Sequence, residues 1–354
     1  VKNFWLIAVV SFLFVFGANC SRNSSPDQLT MGNPVTKKIM NDEVHSYTAE
    51  LEKGQFVNLS VKQRDVDVIT KVFTPTGELI GEFDTPTSGR GTEQIRIGTD
   101  TAGEYRIEIY TLSERAEPGE YKLAIADFRP ITERDRNILT AVKLHQEADK
   151  LRSQKETMPD SLPVYENALQ IWRELGEQSD EANTLRAMGF AYQRLNELEK
   201  AKEHFGKALE IWEKTGDLRS AAFTHIILGV IAKKQNDLET GLQEDLKAQP
   251  LWKQADDLPE YTQNLVRIGN DYIKLQSNAE ALKYFEQALD SSRQVERKSV
   301  QAYVLSECGN AQATVGNKAE ALNFYRQSLE LWRNLKQEKV VASLEEKIAK
   351  LEAN

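Results

Sequence analysis

The hydrophobic rhythm of this chain changes three times. After Lys2 the residues from Phe4 to Phe16 are almost all apolar. A polar stretch follows. Between 42 and 128 apolar and polar residues alternate, as in Phe56-Val57-Asn58-Leu59-Ser60-Val61, Tyr105-Arg106-Ile107-Glu108-Ile109-Tyr110 and Tyr121-Lys122-Leu123-Ala124-Ile125. That period of two is the mark of half-buried strands. Thr76-Gly77, Ser88-Gly89 and Pro118-Gly119 supply turns. About eight short strands in this length predict an all-β sandwich, jelly-roll-like in outline. From 137 onward the period becomes 3.6, which predicts paired, amphipathic helices.

The helical part repeats. Trp172, Trp212, Trp252 and Trp332 are spaced by multiples of 40, and Ser292 holds the missing position. In the blocks 177–216, 217–256, 257–296 and 297–336 the thirteenth residue is Gly189, Gly229, Gly269 and Gly309. Small residues recur as Ala201, Gly241, Ala281, Ala321 and as Ala208, Ala248, Ala288, Ser328. Between those columns stand Phe205, Phe285 and Tyr325, whereas the second of these blocks carries Asp245. Block 137–176 keeps the second half of the pattern, with Tyr165, Ala168 and Trp172. Small residues let two helices approach and large ones fill the flanking grooves, so the pattern predicts helical hairpins stacked into a solenoid. Gly176, Gly216, Asn196, Asn236 and Gly316 mark helix ends. Pro163 and Pro259 are expected near helix starts, and Pro250 is expected to kink or end its helix.

Met188-Gly189-x-x-Tyr192 followed by Ala201, Phe205 and Ala208, and again Ile268-Gly269-x-x-Tyr272 with Ala281, Phe285 and Ala288, resemble the tetratricopeptide repeat. The 40-residue form resembles the subtype with long helices. Ala232 and Gln312 depart from it where the family favours an aromatic. The resemblance implies five repeats over 137–336 and a capping helix over 337–354. It also implies a concave groove lined by the first helix of each pair. The groove residues it points to are Arg186, Phe190, Arg194, Ile227, Val230, Lys233, Lys234, Arg267, Asn270, Lys274, Tyr303, Glu307 and Asn310. Six are basic and one is acidic, in a chain of net charge −9. One reading is a solvated helix face. The other is a peptide-binding groove for an acidic partner, with Arg and Lys on its carboxylates and Asn270 and Asn310 on its backbone.

The N-terminal run is too short for a confident membrane span and suits an export signal over 1–20. It ends in Gly17-Ala18-Asn19-Cys20. A bacterial lipoprotein signal ends similarly in small residues before an acylated cysteine, which makes Cys20 the lipidation candidate. Gly17 and Asn19 depart from that pattern, and simple secretion or an uncleaved anchor are the alternatives. Residues 21–41 read as a flexible tether. The expected location is the bacterial periplasm or cell envelope, or outside the cell.

Ala102-Gly103-Glu104-Tyr105-Arg106-Ile107-Glu108-Ile109, with Pro118-Gly119-x-Tyr121 after it, resembles the bacterial pre-peptidase C-terminal domain, a secreted jelly-roll-like module. The sandwich (42–128), a connector (129–136, with Thr132-Glu133-Arg134-Asp135-Arg136) and the repeats together resemble the front half of bacterial CHAT-domain proteins, in which a caspase-like protease follows. A short relative and a truncated regulatory half are both open on this reading.

Charge and composition add exclusions. A net −9 argues against nucleic acid as the main partner. No phosphate loop, paired zinc ligands or Cys/His dyad is present in sequence, so no cofactor, metal or catalytic residue is expected. Cys308 sits in an apolar column and is expected in the core, and His225 is expected buried and hydrogen-bonded. Asp65 and Asp67 fit a strand end at the surface, with calcium as the alternative. The expectation is therefore a non-enzymatic, exported scaffold that binds a protein or peptide. The alternative is a carbohydrate- or cell-wall-binding role in the sandwich.

Overall fold

The computed structural model describes residues 26–41, 43–84, 90–111 and 117–353. The export signal, Cys20 and the Ser88-Gly89 turn lie outside the described residues. Among those described, no helix is long and apolar enough to cross a membrane.

Among the described residues nine strands form the first domain: β1 (Asp27–Gln28), β2 (Val35–Ile39), β3 (Val44–Leu51), β4 (Gln55–Arg64), β5 (Ile69–Phe73), β6 (Leu79–Phe83), β7 (Arg90–Gly98), β8 (Gly103–Tyr110) and β9 (Gly119–Pro130). They make two sheets, ordered β1-β3-β8-β5-β6 and β2-β9-β4-β7. Alternation sets which face is buried. Tyr105, Ile107 and Ile109 point inward from β8, and Tyr121, Leu123 and Ile125 from β9, to meet Val57, Leu59 and Val61 of β4 in one core. Residues 27–39 are part of this sandwich, which corrects the tether. Leu29 and Ile39 are 3% and 1% exposed, and β2 pairs with β9 along Val35–Ile39. Its charged Lys37-Lys38 pair masked that strand in the sequence.

Eleven helices follow among the described residues. They are α1 (Glu133–Ser153), α2 (Met158–Leu175), α3 (Gln178–Arg194), α4 (Leu198–Thr215), α5 (Leu218–Lys234), α6 (Leu238–Gln254), α7 (Leu258–Lys274), α8 (Asn278–Ser292), α9 (Lys298–Thr314), α10 (Lys318–Asn334) and α11 (Glu338–Ala353). Consecutive helices pack as hairpins, and hairpins stack into a solenoid. Thr132-Glu133-Arg134-Asp135-Arg136 is the start of α1 and not a connector. Thr132 and Asp135 form a capping box there, and Asp135 also receives Arg129 at 2.5 and 2.8 Å.

The repeat columns are packing contacts. A Cβ on Gly189 would stand 2.8 Å from the Phe205 ring, and one on Gly309 would stand 2.6 Å from that of Tyr325. Each glycine is therefore the hole for the next helix's aromatic. Trp172, Trp212 and Trp252 are buried between hairpins, while Trp332 is half-buried near the end of the stack. Asn196 and Asn236 take the left-handed conformation at φ 61° and 64° in the turns that join paired helices. The structure corrects the ending expected at Pro250 and the helix-start position expected for Pro163. Helix α6 runs through Pro250 to Gln254, and Pro163 stands inside α2. Buried Ala248 and Trp252 flank Pro250, and buried Met158 and Ser161 before Pro163 with Tyr165 and Ala168 after it hold α2, so packing outweighs the lost N–H. Helix α11 lays Leu344 on Tyr325 and Leu329, closing the last hairpin.

The sandwich is docked along the solenoid. Phe56 enters a cluster with Ile138, Ala141, Ala168 and Trp172. Edge strand β7 is covered by the repeats: Arg96 pairs with Asp180 of α3 at 2.7 Å, and Arg90 approaches Asp257 before α7 at 3.8 Å. Farther along, Arg297 reaches Asp65 at 3.4 Å, and Glu117 accepts hydrogen bonds from the first turn of α9.

Candidate binding groove

The first helices α3, α5, α7 and α9 contribute the groove positions. They lie toward one another, with α7 touching α9 and α1 touching α3, so they form the inner layer of the stack. Their N-terminal turns face the sandwich. Their C-terminal turns carry Arg194, Lys234 and Lys274, all exposed and spaced by one repeat. Arg194 donates to the Arg152 carbonyl at 3.1 Å, and Lys274 approaches Asp271 at 3.9 Å with 57% of its side chain exposed.

The next turn inward holds the amides. Asn270 and Asn310 both donate to Glu307, at 3.2 and 3.1 Å. Asn310 also accepts from Tyr325 Oη at 2.9 Å and Lys347 Nζ at 3.0 Å. Glu307 and the cap lysine thus fix the orientation of both amides. Arg267 is half-buried beside them, and its Nε has no hydrogen-bond partner. Tyr303 is 38% exposed on α9.

Five expected groove residues are placed differently. Lys233 is mostly turned away from solvent, with 15% of its side chain exposed. Gly241 leaves room for its stem, and its ammonium lies between Asp245 of α6 and Asp271 of α7. Both carboxylates are fully or almost fully buried, so one cation neutralises two acids. Burial pushes Asp245 up to about 6, with Lys233 opposing the shift. Phe190 is half-buried, edge-on to Phe205 at 5.1 Å. Arg186 is 5% exposed and lies against β7 of the sandwich, over the Trp212 ring at 5.4 Å. Ile227 is buried and Val230 half-buried in the packing of α5.

Other expectations can be placed as well. Cys308 is buried, and burial pushes its thiol up to about 12, as suits a core position. His225 is buried with Nδ1 2.6 Å from Glu244. Asp65 turns out of β4 at φ 61° and receives both Arg90 and Arg297. Sequence reasoning missed the Lys233–Asp245–Asp271 group. Its signal was present, because Ala232 and Asp245 both break pattern in the same repeat.

These columns and hairpins define a tetratricopeptide solenoid. The chain matches the tetratricopeptide repeat family over 139–214, 180–252 and 260–334, and it belongs to that family. No curated protein sequence matches it. Among solved structures it is similar to the apo form of RapI, at 15% identity and TM-score 0.50, covering 55% of this chain and 54% of RapI. BtubC from P. vanneervenii matches at 16% identity and TM-score 0.46, covering 58% and 93%. The pre-peptidase C-terminal domain of collagenase from Bacillus anthracis matches at 12% identity and TM-score 0.25, covering 31% of this chain and 99% of that domain. The likeness to RapI is one of fold.

Proposed function

We propose that this protein is a non-catalytic, protein-binding scaffold whose inner groove takes an acidic peptide or an acidic segment of a partner. The observation that carries this reading is the ladder Arg194, Lys234 and Lys274. One exposed cation stands at the same position of three successive repeats, in a chain of net charge −9. Helix C-termini favour cations by themselves, by a few tenths to about 1 kcal/mol each. A binding role adds what the helix dipole does not, a regular row of charges facing the inner layer. Asn270 and Asn310 lie one turn before that row, at the repeat position that Phe190 holds in α3. Arg186, Arg267 and Tyr303 stand nearer the sandwich. Lys233 supports the ladder from below by holding α5, α6 and α7 together.

Capture of a partner from a cell-envelope extract tests the reading. The wild-type chain should retain a partner that the triple variant R194E/K234E/K274E does not. Equal capture by both would move binding off this groove.

We also place the protein outside the cytoplasm, on the strength of the apolar run and the Gly17-Ala18-Asn19-Cys20 sequence. Acylation of Cys20 would make it a membrane-anchored scaffold. Membrane association and acyl labelling that disappear in Cys20→Ala are the expected result, and a fully soluble wild-type protein would favour plain secretion.

A further inference from the structure

A cleft of about 430 Å³ lies where β7 crosses α3 and α5. Four guanidinium groups line it, Arg90, Arg96, Arg186 and Arg219, together with the carboxylates of Glu93, Asp180 and Asp217. Two are committed to carboxylates. Arg90 grips Asp65 at 2.9 and 3.0 Å, and Arg219 meets Asp257 at 2.5 Å. Arg96 is half committed, since Nη2 donates to Asp180 at 2.7 Å while its buried Nη1 has no hydrogen-bond partner.

Arg186 is the exception. It is 5% exposed, yet no carboxylate among the described residues stands within ion-pair distance. Among the described residues its one hydrogen bond goes from Nη2 to Asn183 Oδ1 at 3.0 Å. A guanidinium has five N–H donors, and a buried charge without a counter-ion is costly. Burial pushes Arg186 down to about 10, while Asp217 and Asp149 act from farther off in the opposite direction. Asp217, also in the cleft, caps α5 by accepting from Ser220 N at 3.1 Å. Helix α3 opens onto the same cleft at Ser179 and Asp180 with no side-chain N-cap, so its first-turn N–H groups add a favourable field for an anion. Trp212 forms the floor beneath Arg186.

We propose that this cleft binds a small free oxyanion, a carboxylate or phosphate compound, between the guanidinium groups of Arg186 and Arg96. The ligand supplies the counter-charge that Arg186 lacks and takes its unmet N–H donors, with the Arg96 charge beside it. The site differs from the peptide groove because β7 of the sandwich forms one wall. A bound anion would therefore also join the two domains.

Calorimetric titration of the full chain with inorganic phosphate and with succinate, at constant ionic strength in chloride, tests the proposal. The expected result is saturable one-to-one binding of at least one of the two, and which one binds identifies the head group. Arg186→Met should weaken it at least ten-fold, and its melting temperature without anion should equal or exceed that of the wild type, because an uncompensated charge is gone. Lys214→Met, an exposed lysine away from the cleft, should bind like the wild type. If Arg186→Met fails to fold, Arg186→Lys keeps the charge, loses the planar fork, and should still bind at least ten-fold more weakly. No saturable heat from either anion, or undiminished binding by the folded Arg186 variant, overturns the assignment.

Discussion

Glu117 of the sandwich caps a helix 182 residues further along the chain. Its Oε2 accepts from Ser299 N at 2.9 Å and from Ser299 Oγ at 2.7 Å, while Oε1 accepts from Lys298 N. Helix α9 has no side-chain cap of its own, so the other domain supplies it. Glu117→Ala should cost about 0.5–2 kcal/mol, the usual worth of an N-cap. Urea unfolding followed by tryptophan fluorescence should show the loss as a lower midpoint. An unchanged midpoint would mean that the two domains do not hold this contact in solution.

The buried group around Lys233 makes a sharper prediction. Lys233→Met leaves Asp245 buried without a cation and Asp271 with only Lys274 at 3.9 Å, and should cost about 3–5 kcal/mol. Adding Asp245→Asn removes one of the stranded charges, so the double variant should be more stable than Lys233→Met alone. Such non-additivity is expected for side chains in one network. Simple addition of the two single effects would dissolve the group into independent contacts.

Two aspartates give opposite pH signs. Asp245 is raised from 3.8 to about 6 by burial, so the folded protein holds a proton that the unfolded chain has released. This group therefore lowers stability as pH rises from about 4 to 6. Asp135 is held below the usual carboxylate range, first by its hydrogen bond from Arg129. It contributes stability above the unfolded value and loses it as pH falls. Melting curves over pH 3–7 should therefore flatten between 4 and 6 in Asp245→Asn relative to wild type, and lose part of their acid-side slope in Asp135→Asn. Parallel curves in both variants would contradict these assignments.

Trp212 is 2% exposed between two hairpins, and Trp212→Ala should cost about 3–5 kcal/mol. Ser292, in the same column, is also 2% exposed and donates to the Leu289 carbonyl. The packing there has closed around the small residue. Ser292→Trp should therefore overpack and destabilise, by about 1–3 kcal/mol, despite restoring the tryptophan period. A stabilised Ser292→Trp protein would show that room for the ring remains.

The groove prediction separates binding from folding. Arg194, Lys234 and Lys274 are exposed, so reversing each should change stability by no more than about 0.5 kcal/mol. Affinity for an acidic partner should fall steeply in the triple variant and weaken with salt in the wild type, because exposed charges are screened within about 8 Å at physiological ionic strength. Reversing Glu346 and Lys350 on α11 is the control. A salt-independent affinity that survives the triple reversal would rule out the ladder.

The repeat was legible in the sequence because each helix contact needs the same residue sizes at the same spacing. Gly189 with Phe205, Gly309 with Tyr325, and the buried Trp172, Trp212 and Trp252 follow from that periodicity, as the alternating strands follow from a sheet with one buried face. The sequence also carried the break at Asp245, but it did not carry its reason. Lys233 is 12 positions from Asp245 and 38 from Asp271, and only the stacking of α5, α6 and α7 brings the three together. Strand β2 was hidden because edge position, not composition, makes its lysines acceptable. The docking of the sandwich was beyond any local reading. Asp65 and Arg297 are 232 positions apart, and Arg186 lies under β7 only because Phe56 and Arg96 fix the sandwich on α1–α3. Period and alternation are properties of neighbouring residues, and a chain records them directly. Which charges meet, and which one is left without a partner, is decided by the packing of distant elements.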